Sequence, residues 1–383
     1  MKILVPIYPW ADCGYPAKFI PGGLLGALLH QVPCLVKLGH EVTLLTSRNF
    51  PVTTTEVKQI ACDFPSKEEK GTTSWQPFTE AICSHGDKFD IILCHFPELK
   101  LNKEAIRGKV RGLAPKFRVI LHHYDETPFS TFFVTQYQVM AFILQHGGRV
   151  GTVSSLFSDY CRGRFEKDPK VITKNPYHIP ELPTTDFSEK FEYLNTIRAE
   201  VDMVPKVLRS NGDFVMAGRP SVEKNLLVGV KAYCKAQPKG NLHIFTYTPY
   251  LETKPKNLEY FDQLMAYESE RIIFHLKAPR EELYATLAES SVLIFPSKKE
   301  ASPLVPQEAA SCGLNVVYAE PHVHYLYDSD VRVPNYSVKS FAEGLQTVSV
   351  PTIEEKERKR ESFLSSYGEK PYSAHLTNFL QPR

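Results

Sequence analysis

The sequence predicts an α/β chain of two parallel-sheet domains, and three observations carry that prediction. Its 383 residues exceed what one hydrophobic core usually organises. Short apolar runs of strand length alternate with helical patterns, once over residues 1–180 and again over residues 206–355. Between Tyr177 and Lys206 the alternation gives way to Pro, Thr and charge, the composition of a linker.

Residues 3–7 form an apolar run that ends in a Tyr-Pro turn. A loop then reaches Gly22 and Gly23, and a helical pattern runs to Leu38, where Gly39 ends it; Pro33 should kink that helix. Residues 42–46 read as the next strand, which completes a strand, loop, helix, strand unit. Residues 91–94, 119–122 and 150–153 are further buried strands of the first domain. The second series places strands at 213–217, 242–247, 271–276, 292–295 and 315–319, with helices beginning near Lys224, Arg280 and Pro306. The charged run EEKERKRE, from Glu354 to Glu361, reads as a solvated helix face. Open parallel sheets bind ligands outside the carboxyl ends of their strands, so the loops after these strands are where chemistry is expected.

Bulk composition excludes more than it assigns. With 45 Lys and Arg against 43 Asp and Glu the net charge is +2, which argues against a strongly polyanionic partner for the whole surface. Eight scattered cysteines show no zinc spacing and read as reduced thiols, so no metal site is expected. Neither a signal peptide nor a membrane-spanning run is legible, and a cytoplasmic protein is expected. The dinucleotide fingerprint G-x-G-x-x-G is absent.

Two stretches carry chemistry. In FPSKKEASPLVPQEAASCG a buried strand runs into a loop and a short helix with Pro306 in its first turn and Gly313 closing it. Free amides and the positive dipole end of such a helix suit a phosphate or diphosphate. Glu300 and Glu308 flank the loop. One carboxylate can hold sugar hydroxyls and stabilise an oxocarbenium-like transition state, while the other can hold a ribose diol. In FVMAGRPSVEKN a strand ends at Gly218 and is followed by Arg219 and Lys224, two cations able to neutralise a departing diphosphate without a metal.

Together these segments resemble the retaining glycosyltransferases of the two-domain GT-B fold, specifically family four (glycosyl transferases group 1). The resemblance implies two Rossmann-like domains facing across a cleft, the first over 1–180 with a C-terminal helix of about 360–383 packing back on it, the second over 206–355. It implies that Arg219 and Lys224 hold the donor diphosphate, that Glu300 addresses the donor sugar and Glu308 the ribose, and that the backbone of Ser302, Pro303, Leu304 and Val305 faces sugar and phosphate. PGGLLGALLHQVPCLVKLGHEVTLLT is similar to the family's glycine loop and first helix, which brings Gly22 and Gly23 to the donor phosphates. His122 and His123 match a strand-end position where the family has a histidine facing the donor sugar; His123 is favoured, with Asp125 beside it on the acceptor side. TVSS at 152–155 and KNPYH at 174–178 resemble scaffold segments of the family. Leu276 and Lys277 stand where the family has glycine near the nucleobase, and AEPHVHYLYD replaces a glycine-rich stretch.

The implied activity is transfer of a hexose or pentose from a nucleotide diphosphate sugar, UDP-linked by preference, to an acceptor hydroxyl with retention, with no cofactor and no metal. The acceptor is a saccharide or lipid, or a hydroxymethylated base in DNA as in phage enzymes of this fold. The DNA alternative rests on KLNKEAIRGKVRGLAPKFR, seven basic residues against one acid, in which Lys100, Lys103, Arg107 and Arg111 recur at helical spacing. A non-catalytic sugar-nucleotide-binding regulator is the reading from a different class, and its signature would be loss of Arg219, Lys224 or a glutamate.

Overall fold

The computed structural model describes residues 1–7, 31–47, 56–62, 75–95, 99–101, 103–121, 131–153, 190–194, 204–246, 255–298, 300, 303–319 and 327–382. The chain divides into two compact units, one comprising the N-terminal half through Thr196 together with Tyr372–Arg383, the other running from Ile197 to Pro371.

In the first unit seven parallel strands stand in the order β3-β2-β1-β4-β5-β6-β7, with β1 at Lys2–Pro6, β2 at Glu41–Ser47, β3 at Lys58–Cys62, β4 at Ile91–Cys94, β5 at Phe117–Leu121, β6 at Arg149–Thr152 and β7 at Glu192–Tyr193. Helices α1 (Trp75–His85), α2 (Glu104–Leu113) and α3 (Thr131–Gln145) lie between them in sequence. Strands β4, β5 and β6 are buried throughout, as expected when both faces of a parallel sheet are covered. Two strands stand where none was expected. β3 is an edge strand whose polar residues are mostly exposed, and β7 pairs with β6 inside the stretch read as linker. Buried Leu194 follows β7 into the core, so residues 190–194 belong to the first unit.

The last helix, α10 (Glu369–Leu380), contributes Tyr372, Leu376, Phe379 and Leu380 to the same core. Its C-terminal carbonyls carry the negative end of the helix dipole and lack intrahelical partners. Two buried arginines satisfy them. Arg118 donates to Phe379 O (3.0 Å), Leu380 O (3.3 Å) and Gln381 O (2.9 Å), and Arg149 to Asn378 O (2.6 Å) and Gln381 O (2.9 Å).

In the second unit six parallel strands stand in the order β10-β9-β8-β11-β12-β13: β8 at Phe214–Ala217, β9 at Leu242–Thr246, β10 at Ile272–Leu276, β11 at Val292–Phe295, β12 at Asn315–Tyr318 and β13 at Val331–Arg332. Helices α4 (Leu226–Ala236), α5 (Pro255–Met265), α6 (Arg280–Glu289), α7 (Leu304–Ser311), α8 (Val338–Thr347) and α9 (Ile353–Tyr367) complete it. From β8 the chain winds outward through β9 and β10, then returns to β11 on the other side and winds outward again. The order therefore reverses between β8 and β11, the place where open α/β sheets hold ligands.

Helix α9 corrects the reading of EEKERKRE as a solvated face. Lys356 is fully buried and Lys359 nearly so. The Lys356 ammonium donates to Arg209 O (2.6 Å), Ala288 O (2.9 Å) and Ser290 O (2.5 Å), gathering carbonyls at the C-terminal end of α6 where a cation is favoured. Gly313, with φ +73°, makes this possible: a Cβ there would lie 2.2 Å from the Lys356 carbonyl oxygen. Lys359 donates to Asn315 Oδ1 and lies 5.2 Å over the Tyr327 ring.

Burial lowers the Lys356 pKa to about 8 from 10.5. The folded state then releases this proton before the unfolded chain does, so the group's contribution to stability grows as pH rises from about 8 to 10.5 and shrinks as pH falls back through 8. Lys356→Met, which removes the donor from Arg209 O and Ser290 O while Ala288 O keeps Arg209 N at 2.9 Å, should destabilise the protein by about 2–4 kcal/mol in urea unfolding at pH 7. The wild-type-minus-variant difference should widen between pH 8 and 10, and a flat or narrowing difference would contradict the burial argument.

Candidate active site

The loop after β8 is tightly wound. Gly218 N donates to Phe245 O (3.0 Å), and Lys224 N and Asn225 N both donate to Ser221 O (3.1 Å each). Asn225 sits in the left-handed region (φ 55°) as the N-cap of α4, so that helix starts two residues later than expected. Its side chain does not cap; it donates instead to Pro296 O (3.2 Å) in the loop after β11. The Tyr260 hydroxyl accepts from Leu227 N (2.8 Å) in the first turn of α4, and burial pushes that phenol up to about 12.

The loops after β8 and β11 are tied across the reversal point of the sheet. Lys298 N donates to Glu223 O (2.9 Å). Lys224 Nζ lies 2.5 Å from Glu300 Oε1, and the buried Ser297 hydroxyl donates to the same oxygen at 2.6 Å. The side chains of Lys224 and Glu300 keep 23% and 13% exposure, enough for a ligand to reach either. Arg219 stands at the rim, 57% exposed, with Glu223 3.3 Å away. Such an exposed pair is weak. Burial opposes ionisation of Glu223, but the hydrogen bonds of its turn and the charges of Arg219 and Lys224 outweigh it and hold its pKa below the ordinary range.

Glu308 lies deeper. On α7 its carboxylate is 1% exposed and paired with Arg280, the first residue of α6, whose guanidinium also lies 5.6 Å over the Tyr284 ring. Helix α7 begins at Leu304, two residues before Pro306, and its N-cap Pro303 leaves the first-turn amides of Leu304 and Val305 without a capping side chain. Leu276 ends β10 and is 40% exposed at the same carboxyl edge, and Lys277 follows it at φ 59°.

Of the residues singled out in the sequence, Arg219, Lys224 and Glu300 thus stand together at one strand edge, Pro303, Leu304, Val305 and Glu308 lie on the helix that follows Glu300, and Leu276 ends a strand on the other side of β8. Gly22, Gly23, His122, His123, Asp125 and Ser302 lie outside the described residues, as does KNPYH. The cationic stripe on the first unit is shorter than expected. Helix α2 begins only at Glu104, so Lys100 precedes it and Lys103 is its N-cap. Arg107 is bonded to Glu104 and to Leu101 O (3.1 Å), Arg111 lies 3.8 Å from Glu104, and Arg118 is buried against α10. Sequence reasoning missed Arg280, Ser297 and Asn225. Arg280 was placed only as a helix start, and the two polar residues carry no spacing that distinguishes them from ordinary loop residues.

Residues 207–360 match the glycosyl transferases group 1 family. This segment is thus similar to the group 1 glycosyltransferases. It spans the strands and helices just described from β8 to α9, so the Lys224–Glu300 pair and the Arg280–Glu308 pair both belong to it. Solved structures extend the likeness in fold to the whole chain, which is of the GT-B class. Sucrose-phosphate synthase from Thermosynechococcus elongatus superposes with a TM-score of 0.71 at 16% identity, covering 98% of this chain and 97% of that one. A glycosyltransferase from Rickettsia africae gives 0.66 at 14% identity over 99% and 97%. HepE from Anabaena, in complex with UDP-glucose, gives 0.63 at 12% over 99% of both. A search of curated protein sequences returns no match. No helix among the described residues is long and apolar enough to cross a membrane.

The enclosed Glu308 carboxylate has Arg280 as its ion-pair partner. Arg280→Ala should cost about 3–5 kcal/mol in urea unfolding, because it leaves a carboxylate buried without its partner. Adding Glu308→Gln to that variant should recover a substantial part of the loss. Recovery of none would show that Arg280 acts through packing on Tyr284 instead.

Proposed function

We propose that the protein is a retaining, metal-independent glycosyltransferase that moves a hexosyl or pentosyl group from a UDP-sugar to the hydroxyl of a saccharide or lipid acceptor. The observation that carries this reading is the gathering of Arg219, Lys224 and Glu300 at the reversal point of the sheet in a segment similar to the group 1 glycosyltransferases. The neighbour solved with UDP-glucose supports uridine as the base.

The chemistry follows from the charges. As the bond from the anomeric carbon to the diphosphate breaks, negative charge accumulates on the leaving phosphate oxygens. Lys224 supplies a point charge on a flexible stem and Arg219 a planar fork, both on the loop beside which that charge develops. The anomeric carbon becomes oxocarbenium-like, and Glu300 stabilises it while accepting hydrogen bonds from sugar hydroxyls. The acceptor oxygen attacks the same face that the diphosphate leaves, so its proton passes to a leaving-group phosphate oxygen and configuration is retained. Glu308 serves the ribose, its charge held in place by Arg280. The regulator reading requires loss of one of these groups, and Arg219, Lys224, Glu300 and Glu308 are all present. In the basic segment of the first unit Arg118 is buried and Arg107 and Arg111 share Glu104, while Lys103 and Lys109 stay exposed; no observation there favours DNA over a saccharide or lipid acceptor.

A panel of nucleotide sugars, screened first for donor hydrolysis and then with saccharide and lipid acceptors, tests the proposal, with the anomeric configuration of the product read by NMR. Turnover of a UDP-sugar with retention is expected; inversion, or silence with every donor, would refute it. Arg219→Ala and Lys224→Ala should each lower kcat/KM by about 100- to 1000-fold. Glu308→Gln should chiefly weaken UDP binding in calorimetry, and Glu300→Gln chiefly lower kcat. Loss of UDP binding in Glu300→Gln alone would reverse the two roles.

A further inference from the structure

Glu300 Oε1 receives two donors, Lys224 Nζ at 2.5 Å and Ser297 Oγ at 2.6 Å, and the two differ in kind. The ammonium rides on a four-carbon stem and would be drawn toward an arriving diphosphate. The serine cannot follow. It is 2% exposed and lies two residues beyond the end of β11, and the backbone on both sides of it is fastened to the β8 loop, through Asn225 Nδ2 on Pro296 O (3.2 Å) and Lys298 N on Glu223 O (2.9 Å). Its hydroxyl is thus a fixed donor beside a mobile one.

Resting on the glycosyltransferase reading above, we infer that Ser297 is a positioning residue: its hydroxyl keeps Oε1 anchored when Lys224 turns to the diphosphate, so that Oε2 stays aimed at the sugar. Without that anchor the carboxylate rotates about its terminal torsion just when the transition state needs it, and a small misplacement of a reacting group is costly in rate. The loss falls on kcat, because the Ser297 hydroxyl reaches Glu300 Oε1 (2.6 Å) and, more distantly, Glu223 O (3.4 Å), neither of which the proposed reading gives to the diphosphate or the nucleoside.

The test is steady-state kinetics of the full chain with whichever donor and acceptor the wild type turns over. Ser297→Ala should lower kcat about 10- to 100-fold with donor KM within about 2-fold. Ser297→Thr, which keeps the hydroxyl, should restore most of the rate, whereas Ser297→Cys, which keeps the shape with a poor donor, should behave like alanine. In a Glu300→Gln background Ser297→Ala should cost much less than it does alone, since the group it positions has already been changed. An unchanged kcat in Ser297→Ala overturns the inference, as does the same factor lost with and without Glu300. Should alanine fail to fold, the threonine and cysteine variants decide it: equal rates in those two overturn it. Silence of the wild type with all donors overturns the glycosyltransferase reading and this inference together, whereas an active wild type with an indifferent Ser297 overturns the inference alone.

Discussion

An ammonium and a carboxylate 2.5 Å apart, Lys224 and Glu300, join two loops that leave adjacent strands of the second sheet. The sheet makes their meeting unavoidable. Parallel strands point all their carboxyl ends one way, and the reversal of strand order puts the ends of β8 and β11 side by side with helices departing in opposite senses. Whatever these loops carry must face each other, and here they carry opposite charges. Such a pair resists collapse into the core, because both groups need solvent or each other. It also stays exchangeable, because neither side chain is wholly desolvated.

A second, deeper pair has a different character. Arg280 lies at the start of α6 and Glu308 in α7, and with the carboxylate almost fully enclosed the pair holds Glu308 in one position. Lys356 acts in the same spirit at the other end of α6, gathering carbonyls beneath α9. Helix α6 is therefore fixed at both ends by buried charge: an arginine at its start and a lysine on its final carbonyls. The first unit uses the same device, with Arg118 and Arg149 on the last carbonyls of α10. At the C-terminal ends of α6 and α10, carbonyls lacking intrahelical partners are matched to long cationic side chains from elsewhere in the chain, whereas Arg280 is α6's own first residue and pairs with Glu308.

What could be read in the sequence follows the same physics. Strands β4 and β11 stand where they were expected because fully buried parallel strands are apolar without interruption. β3, β7 and β13 escaped notice because edge strands and two-residue strands carry polar side chains, and nothing in Lys58–Cys62 or Glu192–Tyr193 distinguishes pairing from loop. The grouping of residues at the sheet's carboxyl edge was legible where spacing and residue type both spoke, as for Arg219, Lys224 and Glu300. It was illegible where the role depends on a partner distant in sequence. The Arg280 pairing reaches across 28 positions, and Lys356 meets Ala288 across 68. The run EEKERKRE illustrates the limit: its composition is that of a solvated face, yet two of its lysines are interior groups.

The central claim is that a diphosphate exchanges for Glu300 as the partner of Lys224. The most direct measurement is the Lys224 Nζ–Glu300 Oε1 distance, 2.5 Å here, in crystal structures determined with and without UDP. The account predicts that the ammonium moves to within hydrogen-bond reach of a phosphate oxygen and leaves the carboxylate, while Arg219 closes on the same group. UDP bound elsewhere, or bound with the Lys224–Glu300 contact intact and no phosphate near either cation, would contradict it.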